Sequence, residues 1–281
     1  MVATGGRRLA AALLALAACG GGAPGADGGD GAAPAGDTLR YAMRELTRSA
    51  PCPVVPDSAP PTPTDACVEV ELAFPDSIAA AVPALADSAR TFVARAVLTA
   101  PFDSLPSASA ESVADAFVRA FESAYQESPA PWQRWFLEQS AEVACNDGRV
   151  VGLRATGSQH TGGAHPISWE RLATFDARDG RRLDLAALVV PESLPALTAA
   201  AERAFRLARE IPEGTSLADA GFTELEGGRF RLPGDALLCP DSVSFHFDAY
   251  EIAPYVVGPS DWALPTTAVL PFLRPGSPLH R

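Results

Sequence analysis

Lysine is missing from this 281-residue chain: all 22 basic side chains are arginine, and 34 acidic ones outnumber them, giving a formal net charge of −12. An arginine-only composition reflects a GC-rich genome rather than a mechanism. The shortage of positive charge argues against nucleic acid as a partner, because a phosphate backbone is held by clustered cations. Long apolar runs are also lacking beyond the N-terminus, where no stretch reaches the roughly 20 residues that a membrane-spanning helix needs. There is no internal repeat, no G-x-S-x-G elbow and no H-E-x-x-H pair, and histidine occurs only four times. What remains, at 47% hydrophobic residues, suffices for one good core or two small ones.

The first 19 residues stand apart from that core. Arg7 and Arg8 precede an apolar run from Leu9 to Ala18, the pattern of a secretory signal peptide and too short for a permanent span. Leu16, Ala17, Ala18 and Cys19 resemble the lipobox of bacterial lipoproteins, which implies cleavage before Cys19 and its acylation. The expected location is the cell envelope, lipid-anchored outside the cytoplasm. Gly20 stands where an aspartate would mark retention at the inner membrane, so a two-membrane bacterium would place the protein on its outer membrane. Cleavage removes two arginines and no acid, leaving 20 basic against 34 acidic groups, a balance of −14. Residues 20–36, "GGGAPGADGGDGAAPAG", read as a flexible tether spanning roughly 20–25 Å.

Cys52, Cys67, Cys145 and Cys239 then remain, an even count that in an exported chain reads as two disulfides with three possible pairings. Cys52 with Cys67 is favoured because they bracket a proline-rich loop, which leaves Cys145 with Cys239.

The body reads as α+β, with antiparallel sheets, packed helices and two subdomains, residues 37–130 and 131–275. "TLRYAMRELTR" and "CVEVELAFP" are expected strands, the second from its alternation of Val68, Val70 and Leu72 with Glu69 and Glu71. Residues 85–99 fit a helix, and a second begins at a Ser109 or Ser112 cap with Val113, Phe117, Ala120 and Phe121 on its core side. Two strands follow, joined at Asn146-Asp147-Gly148, where Asp-Gly suits a tight turn. "SWERLATFD" and "RLDLAALV" extend the meander, residues 191–210 are helical, and Phe222 to Phe272 reads as strands broken by Gly and Pro.

Three motifs in order, "GSQHTGGAHP", "LATFDARDGRRLDLAALV" and "VSFHFDAYEIAPYVVGPSDW", together resemble a bacterial extracytoplasmic domain of unknown function. That domain forms the outer part of lysozyme-sensing anti-sigma factors and the N-terminal part of certain peptidoglycan deacetylases. The resemblance covers roughly residues 132–273, and residues 38–100 look like the smaller domain that commonly precedes it. Matching positions are Gly162, Gly163, Ala164 and His165; Phe175, Asp176 and Gly180; and Tyr250, Glu251, Pro254, Tyr255 and Gly258. In the anti-sigma members the resemblance implies direct lysozyme binding. Here no sigma-binding region and no deacetylase domain accompany the motifs, so the module facing the ligand is what carries over.

The residues themselves leave several chemistries open. The Gly-Gly pair suits a sharp reversal fixed by His165. A zinc site would instead draw on His160 and His165 with Asp248 or Glu251, although H-x4-H in a glycine loop does not force both rings onto one face. Ser158 near His160 lacks the strained elbow of a nucleophile. Asp248 and Glu251, read as three apart on a strand, would point to opposite faces rather than act as a hydrolytic pair. Tyr250 and Tyr255 offer either a binding surface or core positions with hydroxyls at the edge. The favoured reading is a non-enzymatic binding domain with ligand candidates His160, His165, Tyr250, Glu251 and Tyr255, no metal and no cofactor. Its expected partners are a lysozyme-like protein or peptidoglycan. A cell-wall hydrolase or deacetylase-like enzyme centred on His160 and His165 is the alternative, and a scaffold in an envelope assembly is the third.

Overall fold

The structure, a computed structural model, describes residues 38–52, 66–128 and 133–280. The signal segment with Cys19, the tether, the proline-rich loop and Trp132 lie outside the described residues. Strands β1 (Leu39–Pro51) and β2 (Ala66–Ala80) form an antiparallel pair whose ends are joined by the Cys52–Cys67 disulfide. Helices α1 (Pro83–Val97) and α2 (Ala110–Glu127) follow, the second capped by the Ser109 hydroxyl, which accepts from the Ser112 N–H at 3.2 Å. Next come β3 (Trp135–Asn146), β4 (Val150–His160), β5 (Ile167–Asp176) and the short β6 (Arg182–Leu183).

These six strands make one sheet in sequence order, antiparallel except between β2 and β3. Parallel neighbours need a long crossover, and α1 with α2 supplies it. The expected boundary near residue 130 therefore falls inside a single sheet and a single core. Period-two alternation builds that core: Val68, Val70 and Leu72 of β2, Leu137 of β3, and Leu153 and Ala155 of β4 all turn towards Leu85 and Val93 of α1 and Val113, Phe117 and Phe121 of α2. Phe117 and Phe121 both meet the ring of buried Trp135, at 5.7 and 5.6 Å.

"RLDLAALV" is not the strand its apolar content suggested. Only Arg182 and Leu183 join the sheet, Val189 making an isolated bridge to Leu273, and α3 (Leu185–Leu188) starts at once, because the Asp184 carboxylate caps it by accepting from the Ala186 N–H at 2.9 Å. Helix α4 (Leu194–Ala208) leads through turns to a three-stranded antiparallel sheet of β7 (Ala236–Leu238), β8 (Ser242–Phe247) and β9 (Ser260–Pro265), followed by α5 (Thr266–Val269). The region from Phe222 to Phe272 thus holds three short strands separated by turns, as its Gly and Pro breaks imply. Phe205 of α4 packs edge-on to Trp262 of β9, and Phe245 and Phe247 of β8 complete this second core.

The small sheet rests on the large sheet's other face, opposite α1 and α2. Among the contacts that fix it there are the Cys145–Cys239 disulfide, Leu172 against Leu237, and the Thr174 hydroxyl accepting from the Leu238 N–H at 2.8 Å. Gly152 makes the approach possible, since a Cβ there would lie 2.6 Å from Cys145 Sγ and 2.9 Å from Leu237 Cδ1. The small sheet packs on the β4–β5 end of that face, and among the described residues the rest is left open.

Candidate functional site

Alternation dictates what the open face carries. With Val70, Leu72 and Leu137 turned inward, Glu69 and Glu71 of β2 and Glu138 of β3 must point outward, as Glu45 and Thr47 of β1, Ser158 of β4 and Ser168 and Glu170 of β5 do. Glu71 lies directly across from Glu138 in the parallel register. Burial, then the charges of Glu71 and Glu69, push the Glu138 carboxyl above the usual carboxylate range. Of these side chains, all but Glu69 floor a groove of about 670 Å³ whose far wall is the small sheet, through His246, Asp248, Pro259 and Asp261.

That wall holds a cluster of titratable groups around His246. On β8 the inward residues are Val243, Phe245 and Phe247, so His246 faces the groove, its side chain only 10% exposed. Its Nδ1 is 2.7 Å from Asp261 Oδ1 on the paired strand β9 and 3.8 Å from Glu170 Oε2 on β5, and its Nε2 is 2.9 Å from Asp248 Oδ1. Burial opposes a charge on the ring, but hydrogen bonds to Asp248 and Asp261 and the Glu170 charge outweigh it, raising the imidazole to about 9. Glu170 is raised by burial against the opposing pull of Arg154, whose Nε lies 3.2 Å from its Oε1. Asp248 is lowered despite burial, because it accepts from His246, from Arg171 at 2.6 Å and from the Glu170 N–H at 2.9 Å.

The GGAHP loop and the DAYE segment meet beside this wall. Gly162 takes the left-handed conformation at φ +87° and turns the chain between β4 and β5. His165, half-buried, has Nδ1 3.0 Å from the Pro166 carbonyl and Nε2 3.0 Å from the Tyr250 hydroxyl, so a neutral ring donating from Nδ1 and accepting from tyrosine satisfies both. Tyr255 stacks on the same imidazole at 3.6 Å and donates to the Pro166 carbonyl at 3.0 Å. Tyr250 sits at φ +71° and is 59% exposed, so it is not a core position; of the tryptophans, Trp135 and Trp262 are.

Other expected residues separate. His160 stacks with its cross-strand neighbour Phe136 at 6.1 Å, and its Nδ1 is buried with no hydrogen-bond partner among the described residues. Neither His160 nor His165 belongs to a grouping suited to a metal; among the described residues that grouping is Glu170, His246 and Asp261. Asp248 and Glu251 do not lie on a strand. β8 ends at Phe247, and a turn brings Glu251 Oε2 to within 3.1 Å of the Asp248 N–H, while Glu251 Oε1 accepts from Arg231 at 2.8 Å. Sequence reasoning passed over His246 and Asp261. The alternation in "SVSFHF" marks His246 only as an outward residue between Phe245 and Phe247, and Asp261 becomes its partner through the β8–β9 register.

Residues 186–267 match the model of the family described as protein of unknown function DUF3298. This part of the chain is a DUF3298 domain. The match includes β7 to β9 and the DAYE turn, whereas the GGAHP loop lies before it. A solved member of the DUF3298 family from Bacteroides fragilis is similar over 87% of this chain and 98% of its own, with 18% identity and a TM-score of 0.66. A DUF3298 family protein from Pseudomonas aeruginosa is similar over 86% of this chain and 96% of its own, with 19% identity and a TM-score of 0.54. At such identities the likeness is one of fold. No curated protein matches the chain.

Proposed function

We propose that this chain is a lipid-anchored envelope protein whose extracytoplasmic domain binds a cationic, lysozyme-like protein in the groove of the open sheet face, without catalysing a reaction. The observation that carries the reading is the concentration of Glu45, Glu69, Glu71, Glu138 and Glu170 on the open sheet face, with Asp261 facing them from the small sheet. Like charges opposite one another across strands destabilise a sheet, and solubility is served as well by dispersed charge. An acidic concave face accounts for the cost, because it steers and selects a positively charged partner. Exposed Tyr250 at the rim, its hydroxyl held by His165, adds an aromatic contact of the kind enriched at interfaces. The hydrolase alternative at His160 and His165 draws no support from the geometry, since His165 is occupied by Pro166 and Tyr250 and His160 faces Phe136. Anchoring through Cys19 is read from the N-terminal pattern alone.

Calorimetry of the full-length protein against several lysozymes and soluble peptidoglycan fragments tests the reading. The expected result is saturable lysozyme binding that weakens steeply with salt. Binding to glycan fragments alone would move the assignment to the cell wall itself, and binding to neither would overturn it.

A further inference from the structure

We propose that Glu170, His246 and Asp261 form a binding site for a divalent transition-metal ion of the zinc class, at the wall of the groove and away from the histidines of the glycine loop. Three strands, β5, β8 and β9, each present one donor, and the three donor atoms lie within 4.8 Å of one another. A tetrahedral ion with bonds of 2.0–2.1 Å holds its ligands about 3.3 Å apart. The Nδ1 to Glu170 Oε2 separation of 3.8 Å must close by about half an ångström to meet that spacing, and the Nδ1 to Asp261 Oδ1 separation of 2.7 Å must open by a similar amount. Asp261 has the freedom to do so, its side chain being 63% exposed.

The surroundings match what a metal-ligating histidine requires. Its other ring nitrogen donates to Asp248, which is itself fixed by Arg171 and by the Glu170 N–H, and such carboxylate–histidine pairs orient the ring towards an ion. Arg154 engages Glu170 through Oε1 and leaves Oε2, the atom facing His246, to ligate. Glu170 Oε2, 3.8 Å from Nδ1, is beyond hydrogen-bond reach, so no hydrogen bond to the ring has to break for this oxygen to turn onto a cation. One nitrogen and two carboxylate oxygens suit zinc and its neighbours better than the all-oxygen shells of calcium or magnesium. Three protein ligands leave the fourth position directed into the groove, for water or for a donor on the partner.

The site is independent of the lysozyme reading, and its test needs no partner. Zinc is titrated calorimetrically into chelator-washed full-length protein, with magnesium and calcium as comparisons. One zinc per chain with micromolar or tighter affinity is expected. Asp261→Ala, an exposed change that leaves the cores untouched, and His246→Ala should each abolish saturable binding. Asp248→Asn should weaken it by about 10–100-fold, and His160→Ala and His165→Ala should leave it unchanged. Circular dichroism confirms that each variant is folded. No saturable heat with zinc, or binding that survives Asp261→Ala and disappears in His160→Ala, would overturn the assignment.

Discussion

The two faces of the six-stranded sheet are made by the same strands and have opposite characters. On β2, Val68, Val70 and Leu72 are buried under α1 and α2, while Glu69 and Glu71 between them stand on the opposite, exposed face, Glu71 in the groove. One face is optimised for packing, with Phe117 fully buried against Trp135. The other sets Glu71 across from Glu138, an arrangement that packing and hydrogen bonding do not ask for. The contrast separates residues that pack the fold from those that, under the proposed reading, select a partner, so changes to the two should separate in experiment.

Phe117→Ala should have one of the largest effects, a loss of about 3–5 kcal/mol in denaturant unfolding, because a buried aromatic leaves a cavity. Replacing Cys145 and Cys239 by serine opens a crosslink between positions 94 residues apart and should cost about 2–5 kcal/mol in the same measurement. Gly152→Ala places a methyl against that disulfide and Leu237, and should cost about 1–3 kcal/mol by overpacking. In the metal-free protein, the raised imidazole of His246 stabilises the fold fully below its unfolded value of 6.5, and that stability is lost as pH rises through about 9. Unfolding curves from pH 6 to 10 should show the decline, and His246→Gln should remove it. On the open face, Glu138→Gln relieves repulsion from Glu71 and Glu69 and should stabilise by about 0.2–1 kcal/mol. A destabilisation there as large as that of Phe117→Ala would erase the distinction between the faces.

Much of the fold was legible because local signals agreed with it. Alternation in "VEVEL", the Ser109 cap, the Asp147-Gly148 turn and both cysteine pairings each matched their place in the structure. The parallel β2–β3 pairing was not legible, since a periodic strand shows its buried face but not its neighbour. "RLDLAALV" misled because a short apolar run fits a strand or a helix, and the Asp184 cap decided it. For the site, the resemblance pointed to His165, Tyr250 and Tyr255, but their contact spans more than 80 positions and comes from tertiary packing. His246 and Asp261 escaped notice because each is an ordinary outward residue on its own strand, and only the β8–β9 register makes them partners.

The most direct measurement compares two charge-neutralised variants of the full-length protein for binding to a cationic lysozyme at low and physiological salt. One carries Glu69→Gln, Glu71→Gln and Glu138→Gln on the open face, and the other Glu122→Gln and Glu127→Gln on the exposed side of α2. Loss of affinity by about tenfold or more, roughly 1.4 kcal/mol, in the open-face variant alone is the predicted result. Equal affinity in the two variants would contradict the assignment of partner binding to the groove.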